Sequence, residues 1–338
     1  MIREKGGTSM KKLINKVDDV EREMIEGLAK AAPKKLRKLD EGNIIVRTPK
    51  KEGKVALVSG GGSGHEPAHG GYVGNGMLDC AVAGSVFTSP TPDQIYEGIK
   101  AIATEAGVLA IVKNYTGDVL NFEMAIDMAK DEGVNADYVI VNDDVAVKDS
   151  LYTTGRRGVA GTIFVHKIAG ARAEEGASLT EVKACAENVI KNVRSMGMAI
   201  APCTVPAAGK HGFTLAEDEV EIGIGIHGEP GTSREKMLSA NEAAKRLLDP
   251  ILADLDYSGK EVVVLVNGMG ATPLMELYII NNFVQDYLKE KGVKVYDTMV
   301  GNYMTAIEMA GFSLTLLRLD EDMKRLYDAK ADTLAWKK

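Results

Sequence analysis

Apolar positions recur along this chain with two periods, and their succession predicts its elements. Residues from about 17 to 40 carry strong helix formers behind Asp18 and Asp19, which predicts a helix with Pro33 as its break. Short apolar runs at 44–46, 55–59, 78–83, 108–112 and 138–141 carry the strand signal. Between them, Ser89-Pro-Thr-Pro-Asp93 opens a capped helix running to about Ala106, and residues 122–132 form another. Strand, loop and helix repeat in that order, which is the pattern of an α/β domain with a largely parallel sheet. Two helices follow, near 159–175 and 178–196. After 199–202, residues 220–226 alternate apolar residues with acidic residues or glycines, the period of a strand. A helix at 233–255, a strand at 262–266, a helix at 273–290 and strands at 294–297 and 314–319 repeat the theme. The expectation is an α/β protein of two domains, 10–195 and 196–338, each a mainly parallel or mixed sheet flanked by helices.

Composition narrows the function classes. The chain has 338 residues, 45% hydrophobic and 26% charged, enough for two ordinary soluble domains. Its formal charge of −7 argues against a nucleic-acid partner. The three cysteines, Cys80, Cys185 and Cys203, have no C-x-x-C spacing, so neither a disulfide framework nor a thiolate metal site is predicted. No apolar segment approaches a membrane span, and residues 1–9 lack the apolar centre of a signal peptide. Met10 begins a more sensible N-terminus. A soluble, cytoplasmic enzyme is the expectation.

Candidate chemistry lies in the loops after strands, where ligands sit in such sheets. Gly60-Gly-Gly-Ser-Gly-His65 lacks the lysine of a nucleotide P-loop and the third glycine of the dinucleotide fingerprint. It is left as a loop offering backbone N–H groups and a histidine to something small and oxygen-rich. His65-Glu-Pro-Ala-His69 spells H-E-x-x-H, yet Pro67, Gly70 and Gly71 argue against the helix a zinc pair needs, and no third ligand is evident. Asp118, between a strand end and a helix, reads as an N-cap that can also serve catalysis. Lys113 brings a positive charge to the same strand edge. Arg156 and Arg157 suit a phosphate or acidic partner, or an ordinary solvated role. His227, between glycines at the end of the 220–226 strand, reads on its own as a histidine in a tight turn.

Taken together the motifs say more. Gly60-Gly-Gly-Ser-Gly-His-Glu-Pro67, Lys113-Asn-Tyr-Thr-Gly-Asp118, Gly155-Arg-Arg-Gly-Val-Ala-Gly161 and Gly225-Ile-His-Gly-Glu-Pro-Gly231 occur in that order. From about Met10 onward the chain closely resembles the family of substrate-binding K subunits of dihydroxyacetone kinases. The resemblance implies that His227 adds through Nε2 to the ketone of dihydroxyacetone, giving a covalent hemiaminal. A neutral imidazole, with an ordinary pKa of about 6.5, is available for that near neutrality. Adding to a carbonyl also separates the ketone from glycerol, which a hydrogen-bonding pocket alone does poorly. The resemblance puts His65 and Asp118 around the substrate hydroxyls, one or both as general base, with Gly62, Ser63, Gly64 and Lys113 completing the pocket. The chain departs from the family pattern at none of these positions.

It further implies phosphoryl transfer giving dihydroxyacetone phosphate, with no cofactor bound by this chain. Nucleotide with Mg is expected on a partner L subunit that keeps ADP/ATP and is recharged by a phosphocarrier of the phosphotransferase system. The chain ends at Lys338 without room for the nucleotide-binding domain of single-chain kinases, which fits a separate subunit, and family members are homodimers. The alternatives are a non-catalytic, dihydroxyacetone-sensing paralogue acting as a transcriptional coactivator, and a kinase for a related ketose such as erythrulose.

Overall fold

A computed structural model describes residues 11–148 and 153–338; the expectation for residues 1–9 and Met10 lies outside them. Helix α1 (Val20–Ala31) stops ahead of Pro33, and the chain turns at once into β1 (Leu36–Lys38). The sequence pattern ran the helix on to about 40, because Lys34-Lys-Leu-Arg-Lys38 are good helix formers; pairing of Leu36–Lys38 with Ile45–Arg47 overrides that propensity. Then come β2 (Ile44–Arg47), β3 (Ala56–Ser63), β4 (Cys80–Val86), α2 (Pro92–Ile102), β5 (Val108–Lys113), α3 (Thr116–Asp131) and β6 (Ala136–Val141). They make a mixed sheet of order β1-β2-β4-β3-β5-β6, parallel from β4 to β6. Thr91 caps α2 by accepting from the Gln94 N–H, with Pro92 at the first helical position.

Helices α4 (Thr162–Glu174) and α5 (Leu179–Asn192) lead into β7 (Val193–Ala201). A short hairpin, β8 (Thr204–Val205) and β9 (Lys210–His211), precedes β10 (Glu219–Ile222), β11 (Ser233–Lys236), α6 (Ala240–Asp254), β12 (Glu261–Gly268), α7 (Leu274–Glu290), β13 (Lys294–Gly301), β14 (Ala310–Arg318) and α8 (Glu321–Asp328). The second sheet has order β11-β10-β7-β14-β12-β13 and is antiparallel except for the β12–β13 pair. Three sequence readings move here. Residues 193–196 belong to a strand and not to the preceding helix, so Ser195 lies inside β7. Residues 233–236 pair with β10, and the helix waits for a capping box between Ser239 and Glu242. The strand at 220–226 ends at Ile222, because Gly223 takes a left-handed φ of 74° and turns the chain away.

The layers follow from which face of each sheet is apolar. Ala56, Val58, Val108, Ala110 and Val112 pack against α2 and α3, while Val262, Val264, Val266, Leu314 and Leu316 pack against α6 and α7. The opposite faces, with Leu57, Leu109 and Ile111 from one sheet and Val263, Leu265 and Leu317 from the other, share one core with α4 and α5. Helix α4 is accordingly buried almost all round, down to His166 and Lys167. Each large apolar side chain in that shared layer contributes about 1.5–3 kcal/mol on burial. Because both sheets rest on it, their loops are held in a fixed relation.

Candidate active site

The parallel strands β3, β4 and β5 end along one edge, where His65 follows β3, Phe87 follows β4, Lys113 closes β5 and Asp118 lies in the first turn of α3. The glycine run expected as a loop is instead the buried end of β3, extended through Ser63. The glycines let neighbours close on the strand: a Cβ on Gly62 would lie 2.5 Å from the Thr88 nitrogen, and one on Gly61 2.4 Å from Lys113 Nζ. His65 and His69 sit in turns, not on a helix, and their rings diverge. His65 Nδ1–H donates to the Thr305 carbonyl at 2.7 Å, while His69 Nδ1 faces His166 Nε2 at 3.0 Å.

The second sheet supplies the clamp on His65. Asn267, at the end of β12, accepts from the Tyr303 and Met304 N–H groups and donates to the Met304 carbonyl, fixing the segment that presents Thr305. Ile307 N–H donates to the Gly64 carbonyl at 2.7 Å. Ile307 and Phe87 both hold left-handed φ, 57° and 59°, an unusual strain for a β-branched and an aromatic residue. In that conformation they close on Gly64, whose own Cβ would meet the Phe87 ring at 2.9 Å. The Phe87 ring stacks on His65 and stands edge-on to His227, with centroids 5.2 and 5.3 Å away.

His227 comes from the loop after β10 and faces His65 with 4.8 Å between ring centroids. Its Nδ1–H donates to Glu229 Oε1 at 2.7 Å, and its backbone N–H donates to Oε2 at 2.9 Å. That bond fixes the tautomer, leaving Nε2 as the lone-pair nitrogen. Burial opposes ionisation of Glu229, but the His227 ring and the Arg157 guanidinium outweigh it and hold the carboxyl at about 2. His65 is fully buried. Burial, then the His227 ring and the Lys113 charge, pull its pKa well below the usual histidine value, so it stays neutral.

Asp118, in the first turn of α3, accepts from Lys113 Nζ at 3.2 Å on one oxygen and from the Ser89 hydroxyl on the other. The cleft between these parts has a volume of about 850 Å³; Gly62, Ser89, Tyr115, Asp118, His227 and Glu229 lie on its wall. That wall carries carboxylates and no lysine or arginine among the described residues, a lining for an uncharged, hydroxyl-rich molecule.

Of the residues picked from sequence, Gly62, His65, Lys113, Asp118 and His227 converge here. The Ser63 hydroxyl turns away to the Gly84 carbonyl at 2.7 Å, and the Gly64 N–H is taken by Glu66. Arg156 pairs with Asp254 near the surface. Arg157 is not solvated: it is fully buried, with Nε 2.8 Å from Asp144 Oδ2. Sequence reasoning missed Glu229, Tyr115, Phe87 and Ser89. The spacing His227-Gly-Glu229 was a usable signal for the first, since a carboxylate two residues on can reach Nδ1; the others have none short of the fold.

The Dak1 domain matches residues 26–335. The chain belongs to the Dak1 family. Among relatives of this Dak1 chain, the "PTS-dependent dihydroxyacetone kinase 1, dihydroxyacetone-binding subunit DhaK" of Listeria innocua is 57% identical over 329 residues, covering 97% of this chain and all of the relative. The solved "dihydroxyacetone kinase operon co-activator Dha-DhaQ" superposes with a TM-score of 0.89 at 38% identity, covering 96% of this chain and 99% of that one. The dihydroxyacetone kinase of C. freundii in complex with AMP-PNP and Mg2+ gives a TM-score of 0.90 at 36% identity. The Dak1 chain is covered to 97% in that comparison and the kinase to 61%. No helix among the described residues is long and apolar enough to cross a membrane.

Proposed function

We propose that this chain is the dihydroxyacetone-binding subunit of a cytoplasmic, phosphoenolpyruvate-dependent dihydroxyacetone kinase. The observation that carries the reading is the Glu229–His227 pair at the cleft, which turns a lone-pair Nε2 into a nucleophile for a ketone. Nε2 adds to the substrate carbonyl carbon to give the hemiaminal, and the adduct holds one terminal hydroxyl at Asp118. Asp118 takes the proton of that hydroxyl as the phosphoryl group arrives. The ammonium of Lys113 and the hydroxyl of Ser89 keep its carboxylate oriented. The unpartnered Nε2 of His65 accepts a hydrogen bond from a second hydroxyl.

Phosphoryl transfer needs cations around the donor, and the lysine beside the cleft, Lys113, is engaged with Asp118. We therefore assign nucleotide and Mg to a separate L subunit recharged through the phosphotransferase system, as the name of the Listeria innocua relative suggests. The exposed apolar row Leu274, Met275, Tyr278 and Ile279 on α7 suits a second copy in a homodimer. The test mixes the chain with an L subunit charged with ATP and measures dihydroxyacetone phosphate. An adduct detected by mass spectrometry without any product would favour the coactivator reading, in which Asp118 has no proton to take; a solved co-activator shares this fold.

A further inference from the structure

Behind the His227 ring stands a row of charges of alternating sign. Asp144, following β6, is 1% exposed and binds the fully buried Arg157 through Nε at 2.8 Å and Nη2 at 2.7 Å. Arg157 Nη2 also donates to the Gly223 carbonyl at 2.7 Å, anchoring the loop that carries His227. Its Nη1 has no hydrogen-bond partner among the described residues. It lies 2.8 Å from the point a Cβ on Gly225 would occupy, and Glu229 Oε2 lies 2.0 Å from the same point, so the two charged ends share one gap. Glu229 in turn binds His227. With a neutral imidazole the row runs anion, cation, anion, neutral. One negative charge is left uncompensated where burial makes that costly.

We propose that hemiaminal formation supplies the missing charge: the adduct is held as an imidazolium paired with Glu229, so each dihydroxyacetone bound takes up one proton. This rests on the reading of His227 as the covalent anchor. In the step, the Nε2 lone pair forms the C–N bond, the π pair of the carbonyl moves to its oxygen, and that oxygen takes a proton from the solvent. Nδ1 keeps its own proton, and the ring becomes cationic. The neutral product would need Nδ1 to lose its proton and face Glu229 Oε1 at 2.7 Å, acceptor against acceptor. The other titratable groups facing the ring are His65 at 4.8 Å and Tyr115 at 4.6 Å between centroids, with the Lys113–Asp118 pair at the cleft. Burial keeps both His65 and Tyr115 uncharged, which leaves Glu229 as the ring's direct anionic partner.

The test is isothermal titration of the whole chain with dihydroxyacetone in phosphate and in Tris, buffers of different ionisation enthalpy, with intact-mass detection of the adduct in parallel. The expected result is close to one proton taken up per adduct, with affinity falling as pH rises, by about tenfold per pH unit wherever that uptake is complete. Glu229→Gln keeps an acceptor for Nδ1–H but drops the charge. Its proton uptake is expected to fall toward zero and its affinity to drop at least about tenfold. No adduct in the unmodified chain overturns the reading of His227 beneath this one. An adduct without proton uptake, or uptake unchanged in Glu229→Gln, overturns the ion pair alone. Should Glu229→Gln fail to fold, ring-nitrogen NMR of the histidines decides: imidazolium shifts at His227 in the adduct are expected, and a neutral signature overturns the proposal.

Discussion

Two histidine pairs of nearly the same shape sit on either side of the turn at 65–69. His65 meets His227 at 4.8 Å and 69°, and His69 meets His166 at 5.2 Å and 65°. Burial lowers the pKa of His65, His69 and His166 alike, His166 to about 3. What separates the pairs is the company each keeps. His227 borders an open cleft and has a carboxylate on Nδ1, so its Nε2 is both accessible and electron-rich. His166 lies within α4 in the shared core, and its ring bond is to His69. On the proposed reading, access and an anionic partner are what would make a histidine a nucleophile here, not burial or pairing.

Substitutions can break that contrast, and the largest effect falls on the cleft side. His227→Ala is expected to abolish the covalent adduct by intact mass and turnover with it; persistence of the adduct would place the nucleophile elsewhere. Asp118→Asn, which removes the proposed base but leaves one oxygen to accept from Lys113 and an amide nitrogen that can donate to the Ser89 oxygen, should lower kcat about 100- to 10,000-fold while the adduct still forms. Arg157→Met leaves Asp144 buried without its cation, and urea unfolding should register a loss of about 3–5 kcal/mol. On the core side, His166→Leu should cost about 1–3 kcal/mol of stability with adduct formation kept. Adding His69→Leu should cost less than the sum of the single changes, because each single variant strands a partner.

Acid sharpens the same contrast. The Glu229 carboxyl, held at about 2 against an ordinary 4.5, contributes stability that is complete above about pH 4.5 and is lost as pH falls toward 2. The loss of unfolding free energy from pH 7 to pH 3 should therefore be smaller in Glu229→Gln, by on the order of 1–3 kcal/mol. An identical loss in both proteins would mean that Glu229 is not ionised in the fold at low pH.

Much of the fold was legible because burial imposes a period. The apolar runs of β3, β5, β6 and β12 and the amphipathic α2 and α6 announce themselves. Strands β1 and β11 did not, since Leu36-Arg-Lys38 and Ser233-Arg-Glu-Lys236 have no apolar alternation and become strands only by pairing with a neighbour. An acidic run such as Asn142-Asp-Asp144 is ordinarily a solvated loop. Asp143 instead accepts from the Val159 and Gly161 N–H groups ahead of α4 and from the Ser195 hydroxyl in β7, and Asp144 binds Arg157.

The sequence by itself determined the α/β class and where a glycine-rich stretch follows an apolar run, and it nominated the groups proposed for the site. The glycine run before His65 and the strand end before Asp118 mark those two locally, whereas His227 reads on its own as a histidine in a tight turn and is picked out by the resemblance that the motifs carry together. Only the tertiary structure decided how those side chains are held. Nδ1 of His227 is committed to Glu229 by a turn whose glycines let the chain fold back, and His65 is oriented by a carbonyl 240 residues away. Those assignments depend on two sheets resting on one helical layer, a relation between distant residues that no local pattern records.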